Sequence, residues 1–142
     1  MYLVSDKKDS LLMHFGAIDE TKSGRYLPVR VMASINGYSH EEDYWVTEKD
    51  FRRFVISMKQ LNAELIGHST LEAANSENDF SFSIHGDQKY RGYLLIRTVF
   101  RSKIIDSYNP TTSSLFDGGF YSEPANLSIW LDELIDILDK PL

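Results

Sequence analysis

Hydrophobic residues recur at every second position in several stretches of the chain, and this period predicts β-strands with one buried face. The clearest stretch runs from Leu27 to Ile35 and ends at Asn36-Gly37, a pair that supplies the positive φ angles of a tight hairpin. Residues 38–46 are then expected to return antiparallel, with the acidic run Glu41-Glu42-Asp43 exposed in the middle. Alternation also predicts strands over residues 80–85 and 90–101. A strand is expected over residues 10–18, where the pattern is mixed rather than alternating, and a short one over residues 70–74.

Two other stretches have apolar residues at spacings of three and four, which predicts amphipathic helices. The first helix follows Thr47, a favourable N-cap residue, and Gly67 suits its C-terminal end. Pro124 suits the first turn of the second helix, because its missing N–H would lack a partner there anyway. The apolar stripe of the first helix is Phe51, Phe54, Val55, Met58, Leu61 and Leu65, and that of the second is Leu127, Trp130, Leu131, Leu134, Ile135 and Leu138.

Together these elements predict an α+β fold: a curved, mainly antiparallel sheet of about six strands, with one central helix and one C-terminal helix packed against it. The chain has 142 residues, of which 42% are hydrophobic, and is expected to form one domain over residues 1–142 with its core in residues 10–138. Residues 106–119 are predicted to be a mobile loop. At the end of this loop, Asp117-Gly118-Gly119 is predicted to form the turn of a small hairpin between Leu115-Phe116 and Phe120-Tyr121.

The net charge of -6 comes entirely from the C-terminal part of the chain. Residues 1–103 hold fourteen basic and fourteen acidic residues, whereas seven acids and one base, Lys140, follow from Ile104 onward. A block of one charge sign on an otherwise neutral protein creates a local field that attracts and orients oppositely charged partners. The charge distribution therefore favours a binding protein over an enzyme and predicts a basic partner.

Residue types that carry out catalysis or hold cofactors do not cluster in this sequence. Cysteine is absent, which excludes disulfides and thiolate metal sites. The four histidines show no metal-ligand spacing. The run from His40 to Asp43 is a candidate for a divalent cation, but it lacks the spaced ligands and the central glycine of a calcium loop, so a solvated strand edge is favoured. We therefore predict no catalytic residue, no metal and no cofactor.

Nucleic acids and membranes are not predicted partners. The chain is acidic and has no basic stripe, and the row Arg91, Arg97 and Arg101 is expected to pair with carboxylates rather than to bind an anion. No apolar stretch approaches the roughly 20 residues that a membrane-spanning helix needs. Residues 1–8 lack the basic start and apolar run of a secretory signal. These features predict a cytoplasmic protein.

The C-terminal helix and the residues before it form the predicted interface. Acids on the outer face of an amphipathic helix most often serve only solvation. Here the segregation of charge favours an interface, because six of the seven C-terminal acids follow residue 115 and aromatic residues lie beside them. Aromatic residues rimmed by charge are typical of interface anchors. The predicted partner-binding residues are Phe116, Asp117, Phe120, Tyr121, Glu123, Asp132, Glu133, Asp136 and Asp139.

Residues 27–101 carry a further pattern. It consists of Val29-Arg30-Val31-Met32-Ala33, then Asn36-Gly37-Tyr38-Ser39 and Tyr44-Trp45-Val46-Thr47, the Phe51–Leu61 helix, the Thr70–Ala74 strand, and Gly92-Tyr93-Leu94-Leu95-Ile96 leading to Arg101. In this order it resembles the WapI-type immunity proteins, which are encoded beside bacterial polymorphic and contact-dependent toxins. The resemblance covers about half of the chain and consists mostly of core and turn positions, and residues beyond 104 depart from it.

The resemblance implies an immunity protein that binds the effector domain of a cognate secreted toxin, often a nuclease, and blocks its substrate site. An acidic inhibitor suits a basic nuclease, because carboxylates can occupy the positions that attract phosphates. We expect a monomer before the partner binds. Two other classes stay open: a small enzyme or ligand-binding domain with a cavity lined by His14, His85 or tyrosines, and an adaptor that self-associates through its C-terminal helix.

Overall fold

The predicted α+β class is confirmed by the computed structural model, which describes residues 1–4, 8–21, 24–103 and 114–139. It contains one antiparallel sheet and two helices, α1 (Glu48–Glu64) and α2 (Leu127–Asp139). The strands are β1 (Tyr2–Val4), β2 (Ser10–Phe15), β3 (Asp19–Thr21), β4 (Gly24–Ile35), β5 (Tyr38–Thr47), β6 (Gly67–Ala74), β7 (Asn78–Gly86), β8 (Leu94–Ser102) and β9 (Ser114–Ser122).

The order of the strands across the sheet is β1-β2-β4-β5-β6-β7-β8-β9, and β3 pairs with β4 outside this path. The sheet therefore has nine strands in the described ranges, more than the predicted six or so. Two of the additional strands, β1 and β3, are only three residues long, which is too short to show an alternating pattern. Each neighbouring pair is antiparallel, so the sheet is built largely from hairpins between consecutive strands.

The predicted signals for the central hairpin and for the first helix are confirmed. Asn36 and Gly37 have φ angles of 52° and 81°, as the tight turn between β4 and β5 requires. Thr47 caps α1, because its Oγ1 accepts a hydrogen bond from the Asp50 N–H at 3.1 Å. The helix ends at Leu65, which is in the left-handed conformation with φ 57°, so Gly67 begins β6 and does not itself cap the helix.

The core lies between the inward face of the curved sheet and the apolar stripes of α1 and α2. Curvature brings the two halves of the sheet together, since the Tyr38 ring on β5 stacks on the Phe116 ring on β9 at 4.3 Å. In the middle, β5 and β6 share only the pair Trp45–Ala74, so the sheet splits at that point. The predicted helical stripes are confirmed except at Leu65, which is exposed at the C-cap of α1. Ile135 and Leu138 of α2 are partly buried, and the fully buried members are Phe51, Phe54, Val55, Met58 and Leu61 of α1 and Leu127, Trp130, Leu131 and Leu134 of α2.

Strand β9 corrects the prediction of a turn at Asp117-Gly118-Gly119, because these residues lie in the middle of a strand paired with β8. The two glycines are required by close approach. A Cβ on Gly119 would meet the Ile96 carbonyl oxygen at 2.2 Å, and one on Gly118 would meet the Phe116 ring at 2.5 Å. Of the predicted loop 106–119, residues 114–119 are therefore strand, and residues 106–113 lie outside the described part.

The start of β8 is also later than predicted. The alternating pattern predicted a strand from residue 90, but Gln88–Tyr90 form a 3-10 turn that Asp87 caps by accepting a hydrogen bond from the Lys89 N–H at 2.9 Å. Arg91 and Gly92 follow with positive φ angles, which strand residues do not adopt. The chain thus makes a compact connection before β8 begins at Leu94.

Candidate partner-binding surface

The acids of the C-terminal helix form one exposed surface on α2, as predicted. We call Asp132, Glu133, Asp136 and Asp139 the acidic face; each of the four is exposed. The opposite stripe of α2 is buried in the core and fixes the rotation of the helix about its axis. The burial pattern of α2 therefore turns all four carboxylates to solvent.

An exposed hydrophobic residue lies next to these acids. Ile129 is 57% exposed, although it belongs to a helix that buries four other apolar residues. Asp132, Glu133 and Asp136 follow it at three, four and seven residues, which places them on the same side of the helix. An apolar side chain with a rim of charge is the arrangement that protein interfaces use for an anchor.

The charge of the acidic face is almost uncompensated. The Glu133 carboxylate forms an ion pair with the Met1 amine at 3.1 Å. No ion pair joins Asp132, Asp136 or Asp139 to any residue in the described ranges. Asp136 and Asp139 also lie in the last turn of α2, where the carbonyl groups of the helix already present partial negative charge. The face is therefore a concentrated source of negative potential.

Further exposed hydrophobic residues lie at the junction of the two helices. Ser128 of α2 donates a hydrogen bond from Oγ to the Asn62 Oδ1 of α1 at 3.2 Å, which joins the start of one helix to the end of the other. Leu65 and Ile66 are exposed and follow Asn62 by three and four residues. The junction of the two helices therefore exposes apolar side chains in addition to Ile129.

The residues predicted to accompany the acidic face are placed differently by the structure. Phe120 is only 5% exposed and belongs to the core, so the prediction that it contacts a partner is wrong for this conformation. The reason is strand alternation, which points Phe120 inward and Tyr121 outward. Phe116 also points inward, where it stacks on Tyr38, and it is half-buried.

Tyr121, Asp117 and Glu123 are exposed but do not join the acidic face. Tyr121 is 52% exposed on the outward side of β9, where its ring lies 5.7 Å from the Tyr90 ring, whereas α2 packs on the inward side. Asp117 pairs with Arg97 at 2.7 Å, and this hydrogen bond holds the pKa of Asp117 below its ordinary value. Glu123 precedes the 3-10 turn Pro124–Asn126 and makes no side-chain capping hydrogen bond there.

A second group of polar residues lies on the inward face of the sheet, where the sequence indicated an exposed acidic run. Glu42 points inward, and its Oε2 accepts hydrogen bonds from the Tyr44 hydroxyl at 2.7 Å while its Oε1 accepts from the Asn75 and Asn78 amides at 2.8 and 2.7 Å. The His40 Nε2 lies 3.0 Å from the same Oε2. We call these five residues the inner polar cluster.

The electrostatics of the inner polar cluster follow from these contacts. Burial by itself raises the pKa of Glu42, but the hydrogen bonds from Tyr44, Asn75 and Asn78 outweigh it and leave the pKa below its ordinary value. Burial, together with the nearby Glu42 carboxylate, raises the pKa of Tyr44 far above its ordinary value. Glu42 is therefore a carboxylate and Tyr44 a neutral donor, and the cluster satisfies itself without a ligand.

The neighbouring acids, Glu41 and Asp43, lie on the outward face and contact Arg30. The Arg30 guanidinium donates to the Glu41 carboxylate and to both carboxylate oxygens of Asp43, the latter at 3.1 Å. Alternation along β5 thus divides the acidic run between two faces, which separates the ligands that a cation would need. In the described part of the chain no group of three or more His, Asp or Glu residues is arranged to hold a metal ion.

The enzymatic alternative named a cavity lined by His14, His85 or tyrosines, and two clefts of about 370 and 490 Å³ are lined by tyrosines but by neither histidine. Tyr26 lines the first, and Tyr90, Tyr93 and Tyr121 line the second. His14 is exposed on β2, and the half-buried His85 stacks against His68. Burial, followed by electrostatic interactions with His68 and Arg97, lowers the pKa of His85.

Comparison with known proteins gave no match: no family model, no curated protein and no solved structure is similar to this chain. None of the helices in the described ranges is long and apolar enough to span a bilayer.

Proposed function

We propose that this protein is a cytoplasmic immunity protein, which neutralises the effector domain of a cognate secreted toxin by stoichiometric binding. The observation that carries the proposal is the acidic face of α2, whose Asp132, Asp136 and Asp139 have no ion-pair partner in the described ranges. The exposed Ile129 precedes Asp132 by three residues on the same side of the helix. The resemblance of residues 27–101 to WapI-type immunity proteins supports the same class.

Electrostatics give this surface a mechanism of inhibition. A nuclease attracts phosphates with a basic active site, and a row of helix carboxylates spaced by one turn offers a similar series of negative charges. Carboxylates that pair with those basic groups block the positions of the substrate phosphates. Because the charges are clustered, they also accelerate and orient the encounter, so the association rate is expected to fall with rising ionic strength.

The apolar part of the surface supplies a separate contribution. Ion pairs in water stabilise a complex only modestly, whereas an anchor that is desolvated at the centre of an interface contributes more. Ile129 is positioned for this, since it is exposed before binding and adjoins the carboxylates. In this arrangement the acids direct the encounter and the isoleucine contributes to the lifetime of the complex.

The local energetics of α2 point the same way. Asp132 and Asp136 are four residues apart, and like charges at this spacing destabilise a helix. Asp136 and Asp139 add unfavourable interactions with the C-terminal end of the helix dipole. Since these residues do not help the helix to form, a role outside folding accounts for them better than solvation alone.

A direct test compares two variants of equal charge change. The triple variant D132K/D136K/D139K reverses three acids of α2, and D19K/E20K/E77K reverses three exposed acids elsewhere. The probe is the C-terminal domain of the secreted protein encoded directly upstream, purified with its active site inactivated. Binding is measured by calorimetry at low and at moderate ionic strength, after circular dichroism has shown that both variants are folded.

We expect the α2 variant to bind about 100-fold more weakly and to lose most of the salt dependence, because favourable charge pairs become repulsive. The control variant is expected to change affinity by less than about threefold. Equal losses in both variants would show that only net charge matters, and unchanged binding by the α2 variant would place the interface elsewhere. An upstream product that forms no complex with the unaltered protein would count against the function itself.

A further inference from the structure

The split between β5 and β6 opens a groove on the outward face of the sheet. These strands pair only at Trp45 and Ala74, and the backbones separate beyond this pair, where an ideal ladder would place Thr47 opposite Glu72. The resulting cavity has a volume of about 370 Å³. We call it the sheet groove; its side walls include Tyr26, Trp45, Asp50, Glu72, Asp79 and Arg101.

An unusually exposed tryptophan forms one wall of the sheet groove. Trp45 is 46% exposed, whereas the other tryptophan of the chain, Trp130, is buried. Tyr26 lies on the same side of the groove, on the neighbouring strand β4. Aromatic faces attract cations through the negative potential above the ring, and tryptophan does so most strongly.

The opposite wall and one end of the groove are predominantly acidic. Asp50, Glu72 and Asp79 contribute three carboxylates and Arg101 one guanidinium, and Asp50 also lies 3.9 Å from the Arg53 guanidinium on α1. Glu72 is exposed and has no ion pair with any residue in the described ranges. Asp79 contacts the exposed Lys103 at 3.5 Å, a loose surface pair that a competing cation can displace.

We infer that the sheet groove binds the cationic head of an arginine side chain presented by a protein partner. A guanidinium is flat enough to stack on the Trp45 ring and carries donors at its edge for the Glu72 and Asp79 carboxylates. The buried Val99 side chain, which lies on the same side of β8 as Arg101, lines the groove and suits the apolar stem of arginine.

This contact is distinct from the acidic face, because Trp45 points away from the core and α2 packs on the inward side of the sheet. Arginine binding in the sheet groove rests on the proposed function in one respect, because it takes the partner to be a basic protein. The groove itself is tested with a peptide probe that does not need the partner, so the two proposals fail separately.

The experiment titrates the ¹⁵N-labelled protein with the capped tripeptide Gly-Arg-Gly and with its uncharged counterpart, Gly-citrulline-Gly. The resonances of the Trp45 indole N–H and of the Glu72 and Asp79 backbone N–H report the groove, and the Trp130 indole N–H is an internal reference. Two variants of one residue type, E72Q in the groove and E77Q outside it, form a matched pair.

We expect saturable shifts at Trp45, Glu72 and Asp79, and affinity about tenfold weaker for the citrulline peptide, which lacks the charge. The E72Q variant is expected to bind the arginine peptide about threefold more weakly, whereas E77Q and D132K/D136K/D139K retain its affinity. Equal shifts with both peptides, shifts that avoid Trp45, or equal losses in E72Q and E77Q would each overturn the inference. Groove binding that persists when the upstream product does not bind would leave this inference standing and reject only its link to that partner.

Discussion

Two acidic segments of this chain have similar composition and opposite surroundings. The first, residues 41–50, has a partner for each of its five acids: Arg30 for Glu41 and Asp43, the inner polar cluster for Glu42, Arg25 and Arg52 for Glu48, and Arg53 for Asp50. The second, residues 132–139, has four acids, and among the described residues only Glu133 has an ion-pair partner, the Met1 amine.

The difference shows that acid density by itself does not indicate a binding surface. In the first segment the carboxylates accept hydrogen bonds that hold β4, β5, α1 and the β6–β7 turn together. In the second, the acids repel one another and oppose the helix dipole. Whether an acid has an ion-pair or hydrogen-bond partner within the chain therefore distinguishes acids that serve the fold from acids that are available to another molecule.

The largest expected effect is on stability and separates the two segments directly. Removing the Glu42 carboxylate in E42A leaves the buried Tyr44 and the half-buried Asn75 and Asn78 without the acceptor of their hydrogen bonds, and should cost about 2–3 kcal/mol in the free energy of unfolding. The same truncation in the second segment, D136A, should change it by less than about 0.5 kcal/mol. Urea unfolding measures both, and equal losses would remove the distinction.

The pH dependence of stability sharpens the same contrast. Because hydrogen bonds hold the pKa of Glu42 below its ordinary value of 4.5, the folded protein binds this proton less readily than the unfolded chain. The stabilisation from Glu42 is therefore fully present above the unfolded pKa and is lost as pH falls through the lowered folded value. Unfolding from pH 7 to acid should show a steeper loss of stability in the unaltered protein than in E42Q, and equal losses would contradict this role of the Glu42 carboxylate.

Binding offers a comparison between two matched isoleucines. Ile129 on α2 is 57% exposed beside acids, and Ile56 on α1 is 58% exposed among the basic residues Arg52, Arg53 and Lys59. Neither is buried, so I129A and I56A should leave stability nearly unchanged. I129A should weaken binding of the upstream toxin domain by about tenfold and I56A by less than about twofold. The opposite order would move the interface to α1.

Local patterns were sufficient to predict both helices and the central hairpin. The alternation from Leu27 to Ile35, the Asn36-Gly37 turn and the Thr47 cap act within a few residues, and each is found where it was predicted. The glycines of β9 were misassigned because the same residue type serves turns and close backbone approach. Only the position of β8 and of the Phe116 ring distinguishes the two uses.

The candidate site was predictable in part. The spacing of the α2 stripe fixes which acids face solvent, so the acidic face followed from sequence, and Ile129 could have been found from the same helical wheel. Glu42 carried a usable signal as well, since it shares its parity along β5 with the buried Tyr44 and Val46. The donors from Asn75 and Asn78 are more than thirty residues away, and the fold alone brings them to this carboxylate.

The smallest expected effect comes from replacing a carboxylate by an amide. This substitution should lower the free energy of unfolding in the first segment and raise it in the second. E48Q should lower the free energy of unfolding by about 0.5–1 kcal/mol, because Glu48 pairs with Arg25 at 2.9 Å and Arg52 at 2.8 Å in the favourable first turn of α1. D136N/D139N should raise it by a similar amount, about 0.5–1 kcal/mol, since two charges leave the unfavourable end of α2. Urea unfolding at low salt measures both, and both changes should shrink at about 1 M salt, where the Debye length is about 3 Å.

A loss of stability in D136N/D139N would mean that these acids serve the fold after all. A gain in stability together with weaker binding of the toxin domain would show that the acids of α2 are kept for the partner, at the expense of the helix that carries them.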